Sequence, residues 1–92
     1  MKIKKERPSD EKILAIGVTS WGIWEKEEST FDWYYDESET CFILEGRARV
    51  EPQKGEAVEF GSGDLVTFPK GMKCTWKITK PIRKYYKFGT GD

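Results

Sequence analysis

Apolar and polar residues alternate most cleanly in "MKCTWKI", residues 72–78. Met72, Cys74, Trp76 and Ile78 fall on one face of an extended chain, and Lys73, Thr75 and Lys77 on the other. The same period of two sets Phe31, Trp33 and Tyr35 against Asp32 and Tyr34 in "TFDWYY", and turns Ala48 and Val50 inward in "RARVE". "TCFILE" is apolar on both faces, as in a strand covered from both sides. "GIWEKEES", "AVEF", "LVTF" and "PIRKYYKF" complete the strands, the last with Ile82, Tyr86 and Phe88 on its more apolar side. "DESE", "PQKGE", "GSGD" and "PKG" supply the turns between them.

Before Gly22 the pattern changes. "KIKKER" reads as a short edge strand whose lysines discourage further pairing, ended by Pro8. "SDEKILAIG" predicts the one helix: Ser9 as N-cap, Asp10 and Glu11 in the positive first turn, Gly17 as the stop. Seven residues make barely two turns, so such a helix is expected to need docking to persist. Seven to nine short strands at regular spacing, with Gly-rich turns, predict an all-β protein: an antiparallel sandwich or barrel with one short N-terminal helix. Its 92 residues suit a single domain over 1–92.

Charge narrows the partners. Sixteen basic and sixteen acidic side chains cancel and are interleaved, so no field draws the chain to nucleic acid or an acidic membrane. No stretch approaches the roughly 20 apolar residues of a membrane helix. The basic start lacks the apolar run of a secretory signal, so a cytoplasmic place is expected, or an organelle stroma if a targeting segment has been removed. Cys41 and Cys74 are too few for a disulfide framework and are expected to be free thiols. Four Trp, four Tyr and five Phe are many for so short a chain, and they are expected to dominate the core.

Two stretches share a spacing. Glu39, "TCFILE", Gly46 is followed later by Gly63, "DLVTF", Pro69, Lys70, Gly71, "MK", Cys74. They resemble, in order, the paired motifs of the cupin superfamily, whose members are small jelly-roll barrels. The wording "IWEKEESTFDWYYDESETCFILEG" with "GDLVTFPKGMKCTWKI" is similar to the small single-domain cupins grouped with the cupin domain of ureidoglycine aminohydrolase, a manganese enzyme family. The resemblance implies metal ligands where this chain has none. Two histidines precede the motif glutamate in metal-binding cupins; here stand Trp33 and Tyr35, or Asp32 and Tyr34 with a one-residue gap, and the alternation favours the first pair. The second motif's histidine is Cys74, and the chain contains no histidine at all. An indole does not coordinate a metal and a neutral tyrosine is a poor ligand, so no metal and no cofactor are expected.

The candidate site is then Trp33, Tyr35, Glu39, Cys41, Cys74 and Trp76, with Trp24 and Tyr86 as wall residues. Rings would either line a pocket for a flat small molecule or fill the barrel as core. Glu39, if it faces inward, needs a partner, water or a ligand; Tyr35 or Cys74 would satisfy it, and a bound donor or cation would too. Cys41 lies two residues on and should face the same way. No inward lysine is evident to lower a thiol pKa. Three functions follow: binding of a small organic ligand among the rings; an aminohydrolase- or isomerase-type enzyme with Glu39 as base, Cys74 as a further candidate and a weakly held metal at most; or a dimeric interaction module with a solid core, in which Trp21, Trp24 and "KYYKF" meet a homodimer partner.

Overall fold

The computed structural model describes residues 2–89 of the chain. Strands β1 (Lys4–Glu6), β2 (Gly22–Lys26), β3 (Ser29–Tyr34), β4 (Glu39–Pro52), β5 (Val58–Gly61), β6 (Leu65–Phe68) and β7 (Lys73–Phe88) follow the expected order, with helix α1 (Asp10–Ile16) between the first two. All pairings are antiparallel. Two of the strands are longer than the turn residues suggest. "TCFILE" and "RARVE" lie in one 14-residue strand, and "KCTWKI" and "PIRKYYKF" in one 16-residue strand that starts after Met72.

These two strands are the spine. β4 and β7 pair from Glu39↔Phe88 to Pro52↔Cys74, with register shifts around Glu45 and Arg47. On one side of the shift the order is β2, β7, β4, β6, β1; on the other it is β3, β7, β4, β5. The sheet therefore folds on itself into two faces that share both long strands, the jelly-roll arrangement. Gly46 sits at the fold with φ 94°, and a Cβ there would stand 2.1 Å from the Pro81 carbonyl oxygen. Only glycine lets the two strands cross so closely. Pro81 falls where the ladder skips, so its missing N–H breaks no rung.

Between the faces lie Ile43, Val50, Phe60, Val66, Phe68, Met72, Trp76, Ile78 and Ile82, all buried. Their alternation with exposed neighbours in the sequence is what commits each strand's face. The helix departs from expectation. Ser9 caps it by accepting from the Lys12 N–H at 3.2 Å, and Gly17 closes it at φ 67°, yet none of its residues is buried and Leu14 is 80% exposed. Both ends are capped, and Lys12 pairs with Glu6 of β1 at the surface.

Candidate functional site

β2, β3, β4 and β7 each contribute side chains to a cavity of about 170 Å³. Phe31, Trp33 and Tyr35 come from the apolar parity of β3 and the residue after it, Trp76, Lys84, Tyr86 and Phe88 from the even positions of β7. Trp24 of β2 and Glu39 of β4 complete the wall. Trp33 and Phe88, 49% and 46% exposed, are its most open members and mark the mouth. Tyr35 and Trp76 are buried at its back. Gly22, paired with Tyr86, leaves room for that ring: a Cβ would meet it at 2.6 Å.

The rings form one continuous set. Phe31 stacks on Trp76 at 6.1 Å and 8°, Trp24 meets Trp76 edge-on at 6.1 Å, and Tyr35 stacks on Phe68 at 5.0 Å. The Trp76 Nε1–H donates to the Tyr35 hydroxyl at 3.1 Å, so the two polar tips buried at the back satisfy one another.

At the centre stands a residue the sequence reading passed over. Lys84 is 4% exposed. Its Nζ donates to Glu39 Oε2 at 3.4 Å and to Cys41 Sγ at 3.2 Å. The same Nζ lies 4.7 Å from the Trp24 ring centroid and 4.8 Å from that of Trp76. Glu39 thus finds its partner in an ammonium group, not in Tyr35 or Cys74, and an inward lysine does exist. The signal was present: Lys84 shares the parity of Ile82 and Tyr86 on β7, and period two turns it inward with them.

Electrostatics fix the protonation states. Burial works against the Lys84 ammonium, but Cys41 and Glu39 outweigh it, and the pKa lies above the usual lysine value. Burial pushes the Cys41 thiol from 9.0 to about 12 despite Lys84 beside it. With Cys41 held as a thiol, Glu39 is the charge that keeps Lys84 protonated. Tyr35 is also held as a neutral phenol, by burial first and then by Glu39. Cys74, raised to about 11 by burial and by Asp32, is no more a thiolate than Cys41.

The structure therefore brings together Trp24, Trp33, Tyr35, Glu39, Trp76 and Tyr86 around one cavity, with Cys41 behind it on Lys84. Cys74 does not join them. It lines a separate cleft with Asp32, Trp33, Tyr34, Gln53, Lys73 and Thr75, and its Sγ approaches the Trp33 carbonyl oxygen at 3.6 Å. Both cysteines are free. Phe31 and Phe88, read from the sequence only as apolar faces of their strands, and Lys84 are the lining residues the candidate site did not include.

The donors do not fit a metal ion. Among the described residues no group of three or more His, Cys, Asp or Glu side chains could hold one. Trp33 has no lone pair to give, Tyr35 and Cys74 keep their protons, and Glu39 is engaged by Lys84. No helix among the described residues is long and apolar enough to cross a membrane.

Comparison with known proteins agrees with this architecture. The EutQ-like cupin domain model matches residues 14–86. A DUF861 family protein from Thermotoga maritima superimposes with a TM-score of 0.92 at 50% identity, over 95% of this chain and 99% of that one. The Clostridioides difficile EutQ protein superimposes at 0.68 with 30% identity, over 77% of this chain and 56% of that one. In sequence, the acetate kinase EutQ of C. difficile is 31% identical over 65 residues, which are 71% of this chain and 41% of the relative. The chain thus spans less than half the length of that curated relative. Acireductone dioxygenase from Bacillus anthracis, 15% identical with a TM-score of 0.66, shares the fold. The chain belongs to the EutQ-like cupin family.

Proposed function

We propose that this protein binds a small organic molecule in the aromatic cavity. The observation that carries the reading is the cavity itself: about 170 Å³, ring-walled, and reaching solvent between Trp33 and Phe88. An apolar cavity of roughly 150 Å³ takes up benzene, so this space suits one ring or a short chain. Exposed Trp33 and Phe88 at a mouth are poorly explained as core packing. Catalysis has less support. Cys41 and Cys74 keep their protons, and Glu39 faces an internal ammonium where a substrate proton would be needed. The name acetate kinase belongs to the longer C. difficile protein, and phosphoryl transfer calls for cations free to face phosphates. Lys84 is not free in that sense.

Phenol is a suitable first probe, with the indole N–H signals of the four tryptophans as reporters. Shifts at Trp24, Trp33 and Trp76 with Trp21 unmoved support the reading. No shift up to millimolar phenol, or equal shifts at all four, ends it.

Self-association is a second reading. Leu14, Ile16 and Ile23 are exposed apolar side chains, at 80%, 36% and 49%. Sedimentation velocity decides it: a dimer at micromolar concentration supports a partner surface there, and a monomer at all concentrations removes it.

A further inference from the structure

Two indole faces and a carboxylate around one ammonium make up an aromatic cage, the arrangement by which proteins recognise ammonium ligands. Here the guest is part of the chain. Lys84 is tethered on β7 directly across from Trp24, its Nζ 4.7 and 4.8 Å from two ring centroids and 3.4 Å from Glu39.

We propose that Lys84 is a built-in occupant of the cage, so that the cavity beside it selects uncharged ring compounds bearing a hydrogen-bond acceptor and refuses ammonium ligands. The proposal rests on the binding reading above and adds the ligand's charge class. It also replaces the expectation that Glu39 fixes a cation, since that place is taken.

Charge balance gives the reason. Lys84 and Glu39 together are neutral, and both are nearly sequestered from water, at 4% and 5% exposure. An incoming ammonium would lie in the same low-dielectric space as Lys84 with no second carboxylate on the cavity wall to meet it. An incoming carboxylate would compete with Glu39 for one ammonium and leave a net negative charge among rings. A neutral acceptor adds no charge. Two of the three Lys84 N–H groups are engaged, by Glu39 and Cys41, so an amide or phenol oxygen can take the third. Its ring would lie against Phe31 and Trp33.

Three probes of nearly equal size separate the cases: benzamide, benzoate and benzylammonium, titrated at pH 7 against the full chain. The proposal expects benzamide to bind at least tenfold more tightly than either ion. It also expects the preference to invert in Lys84→Met, which keeps side-chain volume and leaves Glu39 to meet an incoming ammonium: benzylammonium should then bind at least tenfold more tightly than benzamide. Lys84→Ala supplies an independent arm. With the tether gone, n-butylammonium should raise the Tm of that variant, and n-butanol at the same concentration should not. Benzylammonium binding the wild type as tightly as benzamide overturns the charge assignment while leaving the pocket reading intact. A Lys84→Met protein that still prefers benzamide to benzylammonium overturns it as well. Silence from all three probes on the wild type overturns the pocket reading and this inference with it.

Discussion

Lys84 and Glu39 stand 45 positions apart in sequence and meet at 3.4 Å inside the barrel, with side-chain exposures of only 5% and 6%. A charge buried so far from water depends on its partner. Lys84→Met should therefore lower the unfolding free energy by about 3–5 kcal/mol, because it leaves the Glu39 carboxylate unpaired among rings. Glu39→Gln/Lys84→Met should recover most of the loss. Urea denaturation of the single and double variants measures both, and a Lys84→Met protein as stable as the wild type would contradict the pairing.

Alkaline pH should weaken the fold through the two buried thiols and Lys84. Cys41 has its pKa raised from 9.0 to about 12, and Cys74 from 9.0 to about 11. The native state then holds protons that the unfolded chain releases above pH 9, so stability is complete below that pH and falls as it rises toward 12. Lys84 is shifted in the same direction. The Tm should be flat from pH 7 to 9 and drop beyond, and Cys41→Ala should show a shallower drop than wild type. An equal slope in that variant would remove Cys41 as a source.

Trp33 and Trp76 should separate binding from stability. Trp33 is half exposed at the mouth, so Trp33→Ala should weaken phenol binding at least tenfold while changing stability by about 0.5 kcal/mol or less. Trp76 is 2% exposed, hydrogen-bonded to Tyr35 and flanked by Phe31, Phe60 and Phe68, so Trp76→Ala should cost about 3–5 kcal/mol. Paired thermal melts and titrations distinguish the two.

Gly46→Ala is the backbone counterpart. A positive φ alone costs about 1–3 kcal/mol for a residue with a side chain. The Cβ would also stand 2.1 Å from the Pro81 carbonyl, so the strands must part. Loss of folded protein, or a Tm fall larger than that of any other single glycine replacement, is the expected result.

Metal content should remain well below one ion per chain in tag-free protein purified without chelator, measured by plasma mass spectrometry. Stoichiometric zinc, manganese or iron would reverse the reading of Glu39, because no group of three or more His, Cys, Asp or Glu side chains among the described residues offers a ligand set.

Much of this was legible in the chain. Period-two alternation fixed which way Met72, Cys74, Trp76 and Ile78 face, and all four are buried. Ser9 and Gly17 marked both ends of the helix because capping is local chemistry. Lys84 escaped because lysine is read as a surface residue, and the same parity argument applied to Tyr86 was not extended to it. Pro81 misled in a different way. It looked like the start of a new strand, yet β7 runs through it, because a skipped rung at the bend removes the demand for its N–H. Neither the Cys41 contact nor the Trp24 and Trp76 faces around Lys84 can be read from spacing, since they depend on how far apart the two faces of the sheet come to rest.

The sharing of β4 and β7 by both faces bears on how the chain can come to be folded. Residue 39 pairs with residue 88, and residue 52 with residue 74, so the inner ladder cannot close before β7 has been made. Neither face owns its central strands, and no stretch of the sequence contains a complete half-barrel that might collapse first. The rungs of greatest sequence separation are those around Glu39 and Cys41, the walls of the ion pair. Glu39 can meet Lys84 only where β4 and β7 are paired, so withdrawal of the two charges from water is tied to closure of that inner ladder.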